Sequence, residues 1–145
     1  MMQSHDFYTS QIVLWTRKHF NHPGLDIADD NQDSVAGCRP NQVSAIIDGE
    51  IRTCLPDFSA RNIILEPNLF VLGEAKTADD FLTRHEDAEN QMNVMINVLK
   101  KHAKPIIVYS IPNEFVKRVK NELQEKIDFF DATNVQVEVI DQYFK

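Results

Sequence analysis

The sequence predicts an α/β protein in which helices cover the faces of a mixed β-sheet. Two short and fully apolar runs, residues 69–72 and 106–109, are typical of buried strands, and a segment with helical periodicity follows each of them. A third observation is an Asp-Gly pair between two further apolar runs, which predicts an antiparallel hairpin. The predicted order is helix, three strands in a meander, helix, strand, helix and strand.

Length and composition restrict the class of protein. With 145 residues, of which 43% are apolar and 26% charged, we expect residues 1–145 to form a single domain. The formal charge of -7 excludes a basic nucleic-acid coat protein, so any contact with nucleic acid requires a local basic patch or a bound cation. Cys38 and Cys54 form no CxxC pair, which favours a reducing, cytoplasmic location. No apolar run approaches the roughly 20 residues of a membrane helix, so we expect no membrane partner.

The sequence pattern is clear for the first predicted helix and weak for the segment that follows it. Residues 6–22 carry apolar side chains at helical spacing and end in Asn-His-Pro-Gly, which predicts a helix with a sharp stop. Residues 25–41 are polar and acidic and have little periodicity, so they are predicted to form a long loop.

Strands are predicted for the middle of the chain. Residues 42–55 form two apolar runs around Asp48 and Gly49, which is a strong hairpin signal. Residues 58–65 suggest a further strand, and the buried strand at 69–72 follows after a turn.

The second half alternates helices and strands. Thr77 and Asp80 have the spacing of a helix-capping pair, and the long helix that they start is predicted to close at Pro105. After the strand at 106–109, Pro112 opens a second amphipathic helix. The valines at 135, 137 and 139 alternate with polar residues, as in a half-exposed edge strand.

Ionisable residues at a strand end form the candidate site. Glu74 and Lys76 end the buried strand, where charges are costly unless they are paired or bound to a metal. Alternate residues of a strand share a face, so these two side chains project together while Ala75 faces away. If the strand carrying Asp57 lies alongside, all three side chains converge, and the Ala75 carbonyl adds another oxygen. The ordinary alternatives are a turn aspartate at Asp57 and an exposed Glu74–Lys76 charge pair.

Such an oxygen-rich set suits Mg²⁺ or Mn²⁺. A cation of this kind polarises a phosphodiester and acidifies an attacking water, and an ammonium such as that of Lys76 stabilises the developing charge. The charge of the metal ion also offsets the repulsion between an acidic protein and a phosphate.

The pattern Pro56-Asp57, then Glu74-Ala75-Lys76 after an apolar strand, resembles the signature of the PD-(D/E)xK nuclease superfamily. The predicted order α-β-β-β-α-β, followed by α-β, resembles its restriction-endonuclease-like fold. The resemblance implies that Asp57 and Glu74 hold the metal and that Lys76 is the catalytic lysine.

The resemblance does not identify every residue of the site. The family often places a further acid on the first helix, which is nearly free of acids here; Asp48, Glu50 or an acid among residues 26–33 are the substitutes. Gln91 resembles the glutamine that the family places on the helix after the lysine strand. Arg84 lies two turns before it on the same face and is suited to bidentate phosphate binding.

From these residues we expect a Mg²⁺- or Mn²⁺-dependent nuclease that hydrolyses DNA, in the manner of an endonuclease. A small catalytic domain covers little duplex, so we expect a homodimer. The alternative is a catalytically inactive, nuclease-like binding or partner subunit. The acidic charge and the missing helix acid favour that alternative, while the intact Asp57, Glu74 and Lys76 oppose it. A nucleotide-binding fold over residues 105–140 ranks last, because it lacks a glycine-rich phosphate loop.

Overall fold

The computed structural model describes residues 4–20, 24–30, 39–62, 68–83 and 85–140, except for the side chain of His85. Its elements, in chain order, are α1 His5–His19, β1 Leu25–Asp29, β2 Val43–Ile47, β3 Glu50–Cys54, β4 Phe58–Asn62, β5 Leu69–Ala75, α2 Ala78–Thr83, α3 His85–Leu99, β6 Lys104–Ser110, a 3-10 turn Asn113–Phe115, α4 Val116–Phe129 and β7 Gln136–Ile140.

The main sheet has five strands in the order β1-β4-β5-β6-β7. The pairs β1–β4 and β4–β5 are antiparallel, and β5–β6 and β6–β7 are parallel, so the sheet is mixed as predicted. Helix α1 packs on one face, where Val71 and Ala75 of β5 lie, and α3 packs on the other face, where Leu72 lies. This alternation along β5 places the side chains of Glu74 and Ala75 on opposite faces.

All five strands of the main sheet have an end at one edge, where β7 finishes at Ile140 beside Ser110. The parallel strands β5 and β6 end there at Ala75 and Ser110, which are partners in the ladder. Because β4 is antiparallel to β1 and β5, its first residue, Phe58, lies between Asp29 and Gly73. We call this end, where β1, β5, β6 and β7 finish and β4 begins, the carboxyl edge.

A close approach at Gly73 positions α1. A Cβ atom at this residue would lie 3.2 Å from Cδ1 and Cγ2 of Ile12 and 3.2 Å from Cβ of Phe58. Ile12 and Phe58 are fully buried, so neither has space to retreat. Glycine therefore allows α1 to lie directly on β5, and the first turn of the helix reaches the carboxyl edge.

The prediction of a loop over residues 25–41 was wrong in its first part. Residues Leu25–Asp29 form β1, an edge strand whose one partner among the described residues is β4. Ile27 and Asp29 are buried in this strand, and the other three residues are not. Because one of the two buried residues is an aspartate, the sequence lacks the alternation of apolar and polar residues that predicts a strand. Residues 31–38 lie outside the described part of the chain.

The hairpin at Asp48-Gly49 is confirmed, and both residues have positive φ angles of 52° and 78°, as a tight two-residue hairpin turn requires. It forms its own two-stranded sheet, however, whose inner residues Ala45 and Ile47 pack against α3. The meander of the main sheet is consequently β1-β4-β5, and the hairpin is inserted between its first two strands.

The helical half is largely as predicted. Thr77 and Asp80 form the reciprocal cap, since the Thr77 amide donates to Oδ2 of Asp80 over 2.9 Å and the Asp80 amide donates to the Thr77 hydroxyl over 3.4 Å. The single long helix that we expected is two helices, α2 and α3, and α3 ends at Leu99 rather than at Pro105, which lies in β6. Strand β7 is an edge strand, as its alternation indicated.

Candidate active site

Asp57 is fixed at the carboxyl edge by three hydrogen bonds. Its amide donates to the carbonyl of Gly73 over 3.1 Å, and its carbonyl accepts from the amide of Asp30 over 3.0 Å. Its carboxylate Oδ2 accepts from the amide of Ala75 over 2.8 Å. Asp57 directly precedes β4 and does not lie in a strand as predicted, but these bonds hold it against the end of β5, so it is more than a turn residue.

Glu74 is completely buried beside Asp57. Its side chain is 0% exposed, and its Oε2 lies 3.1 Å from Nζ of Lys76. Neither carboxyl oxygen has a hydrogen-bond partner in the described part of the chain, so the ion pair lacks hydrogen-bonding geometry. Glu74 is therefore not half of an exposed charge pair. A fully buried carboxyl group that faces one lysine and another carboxyl group is a group that a bound cation would stabilise.

The pKa values of the two carboxyl groups shift in opposite directions. Burial raises the pKa of Glu74 well above its usual value, the negative charge of Asp57 raises it further, and Lys76 opposes both effects. Burial also acts to raise the pKa of Asp57, but hydrogen bonds with His5 and Asp30 outweigh it and hold that pKa at about 2. The carboxyl groups of Asp57 and Glu74 are close enough for a side-chain hydrogen bond, and such a split is typical of a close acidic pair.

Lys76 lies between the strand and α3. Its side chain is 12% exposed, and its ammonium group donates a hydrogen bond to Oε1 of Gln91. The backbone carbonyl of Gln91 is in turn 4.0 Å from the Sγ of Cys54, which donates to it from β3. The predicted position of Gln91 beside the lysine is therefore observed, and the lysine is oriented by Glu74 on one side and Gln91 on the other.

Two further residues complete a cluster around Asp57. Nε2 of His5, in the first turn of α1, lies 3.2 Å from Oδ2 of Asp57. Single ligand atoms of His5, Asp30 and Asp57 all lie within 4.8 Å of one another. The hydrogen bond with Asp57 raises the pKa of His5 against the effect of burial, whereas burial and then the hydrogen bond with Asp57 raise the pKa of Asp30 to about 7.

His5 was missed in the sequence, and Asp30 was one of several acids left open. Asp30 follows β1 directly, so its position opposite Asp57 becomes visible once residues 25–29 are recognised as a strand. His5 stands on the first helix, where the family places an acid, but no local pattern marks it. Its proximity to Asp57 results from the packing of α1 over Gly73.

The remaining predicted residues lie elsewhere. Asp48 is in the hairpin turn, and Glu50 starts β3, where its Oε2 is 3.8 Å from the guanidinium of Arg52. Within the described residues, no hydrogen bond or ion pair joins either acid to Asp57 or Glu74. Arg84 lies outside the described part of the chain.

The side chains of His5, Asp30 and Asp57 form a group that could hold a metal ion. Glu74 is not one of these three residues, but its carboxyl group is within side-chain hydrogen-bond reach of Asp57 and would add an oxygen ligand next to them. Hard cations take oxygen ligands of this type. A bound cation would lower the pKa of Glu74, which burial raises.

Comparisons of the chain with protein-family models, with curated proteins and with solved structures give no match. Among the helices of the described residues, none has the length and apolar character needed to cross a membrane.

Proposed function

We propose that this protein is a metal-dependent nuclease that hydrolyses DNA phosphodiester bonds as an endonuclease. Mg²⁺ or Mn²⁺ would be held by Asp57, Glu74 and the carbonyl oxygen of Ala75. The observation that carries the proposal is the fully buried carboxyl group of Glu74, whose oxygens lack hydrogen-bond partners although Asp57 and Lys76 adjoin it. Burial raises the pKa of this carboxyl group well above its usual value, and a bound cation would favour its ionised form.

Each residue has a distinct part in this proposal. When bound, the cation would polarise the phosphodiester and lower the pKa of an attacking water. Asp57 stays ionised because its pKa is about 2, and its hydrogen bonds to Ala75 and His5 fix its direction. Lys76, oriented by Gln91, places a positive charge beside Glu74 and would stabilise the charge that develops on the phosphate.

The topology supports the restriction-endonuclease-like assignment. Leaving aside the inserted hairpin and the short α2, the chain runs α1-β1-β4-β5-α3-β6 and then α4-β7. This is the order α-β-β-β-α-β, followed by α-β, that the resemblance implies. We further propose a homodimer, because one small domain covers little of a DNA duplex.

Plasmid cleavage tests the proposal. The wild-type protein is incubated with supercoiled plasmid in Mg²⁺, in Mn²⁺ and in EDTA, beside the variants Lys76→Ala and Lys101→Ala. Lys101 is an exposed lysine that follows α3, so it serves as the matched control. We expect metal-dependent cleavage that Lys76→Ala reduces about a hundredfold or more and that Lys101→Ala preserves.

Two outcomes would contradict the proposal. Equal cleavage by wild type and Lys76→Ala would indicate a contaminating nuclease. No cleavage of supercoiled, linear, single-stranded or flapped DNA in either metal would favour the inactive, nuclease-like binding subunit. A thermal unfolding curve of each variant establishes that a loss of cleavage is not a loss of folding.

A further inference from the structure

The hairpin of β2 and β3 presents strand edges that are not paired. It forms a sheet of its own, and its inner face packs on α3 through Ala45 and Ile47. Each of its two strands therefore has one edge that no other described strand covers. A two-stranded sheet is marginally stable, and an edge strand with free backbone groups is a template for a further strand. The free edges of this hairpin are consequently candidates for contact with another chain.

The free edge of β3 is centred on Ile51. Because the turn has two residues, Ile47 and Glu50 are the hydrogen-bonded closing pair of the hairpin. Hydrogen-bonded and non-hydrogen-bonded pairs alternate along an antiparallel ladder, so the amide and carbonyl of Ile51 point away from β2. Thr53 has the same direction, and its carbonyl accepts a hydrogen bond of 3.3 Å from the side chain of Asn90. In the described part of the chain, no such bond reaches the backbone of Ile51.

The outer face of the hairpin is apolar at the same position. Ile46 and Ile51 are partners in the β2–β3 ladder, and they are 69% and 75% exposed. Exposed β-branched side chains gain contacts when a further strand places apolar neighbours beside them on the same face. Unpaired backbone groups and exposed apolar surface thus coincide at Ile51.

The charges of β3 are complementary to those of a second β3. Glu50 and Arg52 flank Ile51 and lie on the opposite face of the strand. When two copies pair in antiparallel fashion with Ile51 opposite Ile51, each Glu50 lies opposite the Arg52 of the other copy, and such pairs stabilise a sheet. An antiparallel register centred on Arg52 would place two arginines opposite each other, and a parallel arrangement would align Glu50 with Glu50. Both alternatives are destabilising, so the charges select one arrangement.

Both charged side chains are available for this contact. Within one copy, the guanidinium of Arg52 lies 3.8 Å from Oε2 of Glu50, which is beyond hydrogen-bond distance, and both side chains are partly exposed. The strand carries no net charge, whereas the whole chain carries -7, so two copies can approach here without a local excess of like charge. Strand β2 has no charged residue, so its edge offers no comparable selection of partner or register.

We propose that a second copy of this chain binds the free edge of β3, so that two hairpins form one antiparallel sheet of four strands about a two-fold axis at Ile51. Both copies use the same surface, as in the commonest type of dimer. Ile46 and Ile51 of the two copies then form one row of four isoleucines across the outer face. This rests on the homodimer that we propose for the nuclease and names its interface, but it does not depend on metal binding or hydrolysis. Because the interface is short, we expect a weak dimer with a dissociation constant of about 10–100 μM.

Exchange of the charges at Glu50 and Arg52 tests the interface. Sedimentation velocity over about 1–500 μM should show the wild-type protein shifting from monomer to dimer. Arg52→Glu and Glu50→Arg each replace the opposite-charge pairs by like-charge pairs, so each variant alone should dimerise at least about tenfold more weakly. An equimolar mixture of the two variants should regain the wild-type affinity as a heterodimer, because every acid then faces an arginine. Lys117→Glu, an equal change of charge at an exposed lysine of α4, should leave dimerisation unchanged.

A backbone variant covers the case in which the charge variants do not fold. Ile51→Pro removes the outward amide at a position of an edge strand that tolerates proline, so it should be folded by thermal unfolding but monomeric. The proposal would be overturned by a wild-type protein that stays monomeric at about 500 μM, by unchanged dimerisation in all three β3 variants, or by charge variants that do not associate when mixed. Dimerisation through β3 without plasmid cleavage would contradict the nuclease function alone. Metal-dependent cleavage by a wild-type protein that remains monomeric would contradict only the dimer.

Discussion

The backbone amide of Ala75 donates a hydrogen bond of 2.8 Å to Oδ2 of Asp57. The amide of Asp57 in turn donates to the carbonyl of Gly73 over 3.1 Å, so the aspartate is bonded to β5 on both sides of Glu74. The proximity of Asp57 and Glu74 is consequently set by the register of two adjacent strands, which is a rigid relationship. These hydrogen bonds also position the Ala75 carbonyl and the side chains of Asp57 and Glu74 before any ligand binds.

Asp57→Asn should lower the free energy of unfolding by about 2 kcal/mol at neutral pH in EDTA. The folded-state pKa of Asp57 is about 2, below the unfolded value of about 3.9, and asparagine keeps an acceptor for the Ala75 amide. A depressed pKa gives stability that is present above the unfolded pKa and is lost as the pH falls through the folded pKa. Urea unfolding should therefore show the difference between variant and wild type shrinking as the pH is lowered from about 5 toward about 2. A difference that does not depend on pH would contradict this.

Glu74→Gln should show the opposite dependence on pH. The folded-state pKa of Glu74 is raised by burial and by Asp57, so its contribution is present below the unfolded pKa of about 4.3 and is lost as the pH rises. In EDTA, the unfolding free energy of wild type relative to Glu74→Gln should fall as the pH rises above the unfolded pKa. Urea unfolding of both proteins across this range measures it. If the wild type instead gained stability over the variant as the pH rose, the carboxyl group would be part of a stabilising ion pair.

Gly73→Ala should destabilise the protein by about 1–2 kcal/mol, because the added methyl group meets Ile12 and Phe58 in a fully packed layer. Ile12→Val removes one of the contacting atoms, Cδ1, so the double variant should lose less stability than the two single variants together. Chemical unfolding of the four proteins gives this double-mutant cycle. Simple additivity would show that α1 and β5 are not in the close contact described here.

Much of the site is predictable from local sequence, because it depends on strand periodicity. The apolar run before Glu74 marks β5, alternation places Glu74 and Lys76 together, and the Asp48-Gly49 turn marks the hairpin. The position of Gln91 was expected from the family resemblance and not from local spacing, and its side chain accepts a hydrogen bond from Lys76.

The rest depends on tertiary packing. Strand β1 has a single buried apolar residue, Ile27, and a buried acid, Asp29, so its pattern resembles a loop. His5 reaches Asp57 only because Gly73 lets α1 lie directly on the sheet. The cleft beside Lys76 results from the packing of α2, α3 and α4, and sequence spacing within one helix does not reveal it.

Titration with Mn²⁺, measured by isothermal titration calorimetry, tests the central claim most directly. We expect the wild-type protein to bind one ion, Asp57→Asn and Glu74→Gln to weaken the affinity by at least about tenfold, and Asp48→Asn to leave it unchanged. Asp48 is the matched control, because it is an acid in the hairpin turn whose positive φ angle asparagine tolerates. Absence of Mn²⁺ binding by the wild type, or equal affinity in Glu74→Gln, would contradict a metal centre at the carboxyl edge.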